Sequence, residues 1–154
     1  MTSPDSPGVI APPPLIFLAG LALGFGLEAL LPSPSLPGWL AWTLGGALLL
    51  AGVALIVSFA GALRRARTPI DPYRAPTAIV SVGPYRLSRN PGYLGMALVY
   101  VAICLLAGAL WGLVVLVAVL ALIDRGVILR EERYLEAKFG EEYRRYKGSV
   151  RRWI

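Results

Sequence analysis

Five side chains near the two ends of one uncharged run are the residues of this chain best placed to do chemistry. Arg89, Asn90 and Tyr93 stand where the run begins, inside "GPYRLSRNPGYLG" at residues 83–95, and Glu131 and Glu132 stand beyond its end. Asparagine followed by proline is a helix start, with Asn90 at the N-cap and Pro91 at the first helical position. The free N–H groups and positive dipole of such a start hold a carboxylate or a phosphate. The glutamates offer the opposite charge, so the two groups together suit a zwitterion carrying a carboxylate and an ammonium. Taken singly, each has a plainer reading. Asn-Pro begins a membrane helix with Arg86 and Arg89 marking its cytoplasmic side, and the glutamates form a solvated face.

Whether the groups meet depends on the run between them. Leu94 to Ile123 is thirty residues without a charge. A single helix of that length would be about 45 Å long, against a hydrocarbon core of about 30 Å. A hairpin turning near "AGALWG", residues 107–112, resolves the excess. It also puts the basic loop 64–89 and the basic C-terminal tail on one side of the membrane, as the positive-inside rule requires. Its open end then gathers Arg89, Asn90, Tyr93, Glu131 and Glu132. Adjacent helical residues point about 100° apart, so only one of the glutamates need face the pocket. Asp124 precedes Glu131 by seven residues and Arg125 precedes Glu132 by seven, so each pair is expected to share a face.

The rest of the chain fits a membrane setting. Of its 154 residues 56% are hydrophobic and only 16% charged, with mean hydropathy +0.65, where a soluble domain carries about a quarter charged residues. All fifteen Lys and Arg lie between Arg64 and Arg152, and the first 63 residues carry only Asp5 and Glu28. There is no histidine, which excludes His-based triads, most zinc sites and haem ligation, and no metal site is expected. The lone Cys104 excludes an intramolecular disulfide.

The expected fold is an all-α integral membrane protein of four transmembrane helices, the last two a hairpin, with a cytoplasmic helical C-terminal extension. The helices are placed at 15–31, about 39–63, about 91–108 and about 111–130. Residues 1–14 read as a disordered tail, 64–90 as a proline-spaced ordered loop, and 131–154 as the cytoplasmic helical tail. "GLALG" in the first helix is a small-xxx-small pattern suited to close helix contact. Past the fourth helix, "DRGVILREERYLEAKFG" keeps helical spacing, with Ile128, Leu135 and Phe139 near one face and Gly140 as a C-cap. The final "EEYRRYKGSVRRWI" reads as a basic amphipathic piece on anionic lipid, with Trp153 as an interface anchor. Both termini are expected in the cytoplasm.

These motifs resemble those of the isoprenylcysteine carboxyl methyltransferase and phospholipid N-methyltransferase superfamily: an R-H-P-x-Y-x-G motif, a Glu-Glu pair, then F-G-x-x-Y-x-x-Y. The matching residues are Arg89, Pro91, Tyr93, Gly95, Glu131, Glu132, Phe139, Gly140, Tyr143 and Tyr146, and the resemblance covers roughly residues 68–150. It implies S-adenosylmethionine as methyl donor, taken from the cytosol by the last two helices and the tail, and a lipophilic acceptor entering from the bilayer. It further implies catalytic roles for Glu131, Glu132 and Arg89. Donor contacts are implied for Tyr85, Arg89, Asn90, Tyr93, Gly95, Glu131, Glu132, Tyr143 and Tyr146. The expected partners are membrane lipids and a lipid or lipophilic small molecule, with no nucleic acid, in a bacterial inner membrane.

Asn90 stands where the superfamily has histidine. Asparagine donates a hydrogen bond but takes no proton, so a catalytic base at this position is excluded. Val150-Arg151 replaces the Val-Pro that often ends the isoprenylcysteine branch, which argues against prenylated cysteine as acceptor; carboxyl, amine and thiol acceptors stay open. Two other functions compete. A small multidrug-type, proton-coupled transporter would use Glu28, since a carboxylate inside a membrane helix is a functional hypothesis by default. A sterol-reductase-like enzyme would need a nicotinamide site, for which no phosphate-binding signature is present.

Overall fold

The computed structural model describes residues 8–71 and 73–154, and all of its regular structure is helical. Helix α1 (Pro13–Leu30) begins with proline in its first turn, where a missing N–H costs nothing, and ends before the proline-spaced segment 32–37. Helix α2 (Gly38–Arg65) has 28 residues, about 42 Å, and closes on Arg64 and Arg65, whose charge suits the negative end of the dipole. The expected loop follows, with one 3₁₀ turn at Gly83–Arg86. Helix α3 (Pro91–Ala107) ends at Gly108, whose φ of 69° is the left-handed conformation that reverses the chain.

Helix α4 (Trp111–Ile123) runs through a π-helical turn at Asp124–Ile128 into α5 (Leu129–Phe139). The apolar part of this continuous helix extends to Leu129, interrupted by Asp124 and Arg125, and the charged remainder projects past it. Gly140, at φ 54°, breaks the helix and starts α6 (Glu141–Ser149).

Among the described residues, three helices have the length and apolarity to cross a membrane: Pro13–Leu30, Gly38–Arg65 and Trp111–Phe139. The fourth expected crossing, Pro91–Ala107, is apolar but has only 17 residues, at the lower end of a spanning length. The bundle pairs α2 with α3 and α1 with α4. Missing side chains permit both contacts. A Cβ on Gly52 would lie 2.9 Å from the Gly95 carbonyl oxygen, and one on Gly24 would lie 2.6 Å from the Gly112 Cα. Gly24 is the second glycine of "GLALG", so the small-residue pattern is used as expected.

The predicted disordered tail needs correction. Residues 1–7 lie outside the described residues, but Val9 is buried in the core formed by Phe17, Tyr100, Leu116 and Ile123. Ile10 sits against Gly126 in the π-helical turn, and Arg130 Nη1 donates to the Gly8 carbonyl at 2.8 Å. Two apolar side chains among prolines were enough to anchor this segment. Helix α1 accordingly begins at Pro13, two residues early.

Candidate active site

The N-terminus of α3 is held from outside its own helix. Asn90 occupies the N-cap position, but its side chain makes no capping bond. Instead Asn90 Nδ2 donates to the Arg152 carbonyl at 3.0 Å. Ser88 Oγ donates to the same carbonyl at 3.1 Å and accepts from Asn90 N–H at 3.0 Å. Arg89 N–H donates to the Arg151 carbonyl at 3.0 Å. The last residues of the chain therefore lie as a strap across Ser88–Asn90. Ser88 is almost fully buried here, a contributor that the motif reading missed because serine beside arginine carries no distinctive signal.

The strap delivers Arg152 to two carboxylates. Its Nε and Nη2 make a fork on Glu132, at 3.1 Å to Oε1 and 2.7 Å to Oε2, and Nη1 lies 3.2 Å from Asp124 Oδ2. Trp153 Nε1 donates to Asp124 Oδ1 at 3.3 Å, an inward contact for a residue expected to anchor at the lipid interface. Arg89 completes the cluster, with Nη2 2.9 Å from Glu132 Oε1 and Nη1 donating to the Lys147 carbonyl at 3.3 Å. Hydrogen bonds from Arg152 to Glu132 hold the guanidinium above its ordinary pKa, so it stays charged.

This cluster corrects the expected pairing of Asp124 with Glu131. A π-helical turn accommodates one extra residue, so positions eight apart across it align as positions seven apart do in a plain α-helix. Asp124 thus converges with Glu132 on Arg152, and Glu131 is turned elsewhere.

Glu131 faces Tyr93, whose hydroxyl donates to Oε1 at 2.7 Å. No cation pairs with it among the described residues, whereas Glu132 carries two. Burial pushes the Glu131 carboxyl up to about 7; the Tyr93 hydrogen bond opposes that shift and neighbouring Glu132 adds to it. Tyr146 OH donates to the Tyr85 carbonyl at 2.9 Å, and Tyr143 packs beside Tyr146 with ring centroids 6.3 Å apart. Burial raises both hydroxyls, Tyr143 to about 12, so they remain neutral donors.

These side chains line one cavity of about 590 Å³. Arg89, Asn90, Tyr93, Glu131, Glu132, Tyr85, Tyr143 and Tyr146 form its polar and aromatic walls, and Phe59, Leu63, Ile79 and Met96 contribute apolar surface. Pro12–Pro14 supply a further wall. Among the predicted site residues, Gly95 is the one that does not reach the cavity. It packs against Ile56 and Gly52 of α2, its small size serving helix contact. The Arg89 Nε is buried and has no hydrogen-bond partner among the described residues.

Glu28 lies at the other end of the bundle. Its Oε1 accepts from Ser33 N–H at 2.6 Å and Ser33 Oγ at 2.8 Å, and its Oε2 from Trp111 N–H at 3.4 Å. It ties the α1–α2 connection to the start of α4 and does not line the cavity.

A 62-residue stretch, 40% of this chain, is 44% identical to an uncharacterized protein of Haemophilus influenzae and covers 98% of that protein. No solved structure matches. Residues 40–142, which include most of α2, all of α3, α4 and α5 and the start of α6, match the family described as phospholipid methyltransferase. The chain belongs to the phospholipid methyltransferase family of membrane methyltransferases.

Proposed function

We propose that this protein transfers a methyl group from S-adenosylmethionine to a lipophilic acceptor drawn from the bilayer. One observation carries the proposal: a single cavity joins the cationic Arg89 to Glu131, a carboxylate with no paired cation among the described residues. The amino-acid end of the donor is a zwitterion and needs both. Arg89 and the free N–H groups at the start of α3 would hold its carboxylate. Glu131, through the oxygen that Tyr93 leaves open, would hold its ammonium. The faces of Tyr85, Tyr93, Tyr143 and Tyr146 suit a sulfonium.

The donor supplies a methyl group on a positively charged sulfur, ready for in-line displacement. The chain's own work is positioning and exclusion of water. The aromatic walls shield the reacting centre, and Phe59, Leu63, Ile79 and Met96 would take the apolar part of the acceptor. Glu132 and Arg89 act as a fixed electrostatic base, with Asn90 securing the tail rather than moving protons. The strong basic bias after Arg64 supports four crossings with both termini and the cavity on the cytoplasmic side, in a bacterial inner membrane. The commitment of both Glu28 oxygens to local hydrogen bonds counts against the transporter reading.

Purified protein in detergent should bind S-adenosylmethionine or S-adenosylhomocysteine, seen as a rise in melting temperature or by calorimetry. Absence of binding at millimolar donor contradicts the proposal. A screen with radiolabelled donor and native lipid extract identifies the acceptor and whether carboxyl, amine or thiol is methylated.

A further inference from the structure

Two helix starts line the same cavity and present opposite chemistry to it. A helix start ordinarily leaves about four N–H groups without a partner inside the helix. At the start of α3, Asn90 N–H donates to Ser88 and Pro91 has none to give, but the N–H groups of Gly92 and Tyr93 meet no acceptor among the described residues. At the start of α1 the corresponding positions are Pro12, Pro13, Pro14 and Leu15. Proline has no N–H, and Leu15 N–H is taken by the Pro12 carbonyl at 2.9 Å. The first turn of α1 therefore offers the cavity no backbone donor, although all three prolines line it.

We propose that Pro12–Pro14 are specificity-determining residues: they form the wall of the cavity that takes the hydrocarbon of the acceptor and rejects polar groups there. The inference rests on the methyl-transfer reading above. Hydrocarbon laid against a donor-free wall leaves no polar group unmet, whereas a hydroxyl or phosphate lodged there would lose its water and gain no hydrogen bond. Phe59 and Leu63 of α2 and Met96 of α3 continue the apolar surface. Helix α1 packs on α4 and α2 on α3, so the two helix pairs each supply part of this wall. The prolines are held in place by the residues just before them. Val9 is buried in the core, Ile10 sits against Gly126, and Arg130 holds the Gly8 carbonyl. All of this segment lies outside residues 40–142, the stretch that matches the family, so acceptor choice is set in part by a wall that the family match does not include.

The test separates the acceptor from the donor. Methyl transfer from radiolabelled S-adenosylmethionine to a native lipid extract is followed against extract concentration, and S-adenosylhomocysteine is titrated calorimetrically into the same full-chain protein in detergent. Pro14→Ser puts an N–H and a hydroxyl into the wall at a first-turn position that serine suits. The extract concentration for half-maximal transfer should rise about tenfold, the scale of one unmet donor against hydrocarbon, with S-adenosylhomocysteine affinity within about twofold of wild type. Ile10→Ala loosens the segment without altering a cavity residue, and should raise the half-maximal concentration a few-fold while leaving S-adenosylhomocysteine affinity unchanged. Leu18→Ala, on the exposed side of α1 one turn past Pro14 and outside the cavity, should match wild type in both measurements. An unchanged half-maximal concentration in Pro14→Ser overturns the inference, as does a parallel loss of S-adenosylhomocysteine affinity or an equal rise in Leu18→Ala. Wild type that binds S-adenosylhomocysteine but labels nothing in the extract overturns the acceptor wall and leaves the donor site standing. Wild type that binds no S-adenosylhomocysteine overturns the methyl-donor reading, and this inference with it.

Discussion

The two ends of the helix bundle both hold carboxylates that sequence reasoning marks as functional, and they use them in opposite ways. At the α1–α2 end, Glu28 accepts from a backbone N–H and a hydroxyl of Ser33 and from the Trp111 N–H. Its hydrogen-bonding capacity is met locally by groups that themselves need acceptors. At the α3–α5 end, Glu132 is buried between two arginines, and among the described residues Glu131 is bonded only to Tyr93. The difference lies in what is left over: the Glu28 oxygens are taken up by local donors, whereas Glu131 lines a cavity with one oxygen unbonded among the described residues. Glu28 closes a connection; Glu131 leaves one open.

The largest effect that can break this contrast is expected at Glu132. Glu132→Ala leaves Arg89 and Arg152 without their shared counter-ion in a buried setting, a loss of about 3–5 kcal/mol, and thermal melting should show it together with loss of donor binding. Glu131→Gln should fold and should lower donor affinity by about tenfold, measured by calorimetry. It should also remove a pH trend. Because the folded carboxyl is raised to about 7 from 4.5, the folded state holds the proton more tightly than the unfolded chain. This group's stabilising contribution is therefore full below about 4.5 and is lost as pH rises through 7. Wild type should lose melting temperature relative to Glu131→Gln between pH 5 and pH 8, and parallel curves would contradict the assignment.

Asn90→Ala removes the Nδ2 bond to the Arg152 carbonyl. It should cost about 1 kcal/mol of stability and weaken S-adenosylhomocysteine a few-fold by loosening the strap. The smallest effect belongs to the other end. Glu28→Gln keeps the shape and an acceptor oxygen, so it should cost about 1 kcal/mol or less and leave donor affinity at the wild-type value.

Much of this layout was legible in local sequence. The reversal at residues 107–112 follows from a run too long for one crossing, and Gly108 supplies the left-handed residue it needs. The start of α3 follows from Asn90–Pro91, and the α1–α4 contact from "GLALG". What escaped depends on register or on distant partners. Seven-residue spacing pairs Asp124 with Glu131 only in an unbroken α-helix, and nothing in "DRGVI" announces the π-helical turn that pairs it with Glu132 instead. The tail reads as a basic amphipathic piece because its Arg152 and Trp153 find their partners twenty or more residues back along the chain. Gly95 carries the motif but serves α2, since a glycine's sequence position says nothing about which neighbour its missing side chain admits. Pro12–Pro14 look like a tail until Val9 and Ile10 are seen to fasten them over the cavity.

The account turns on the cavity end, and not the Glu28 end, being the methyl-donor site. Calorimetric titration of S-adenosylhomocysteine into wild type, Glu131→Gln and Glu28→Gln, side by side in the same detergent, tests that claim most directly. The account predicts binding to wild type, an affinity about tenfold weaker for Glu131→Gln, and a wild-type affinity for Glu28→Gln. Equal affinities for wild type and Glu131→Gln, or a loss confined to Glu28→Gln, would contradict it.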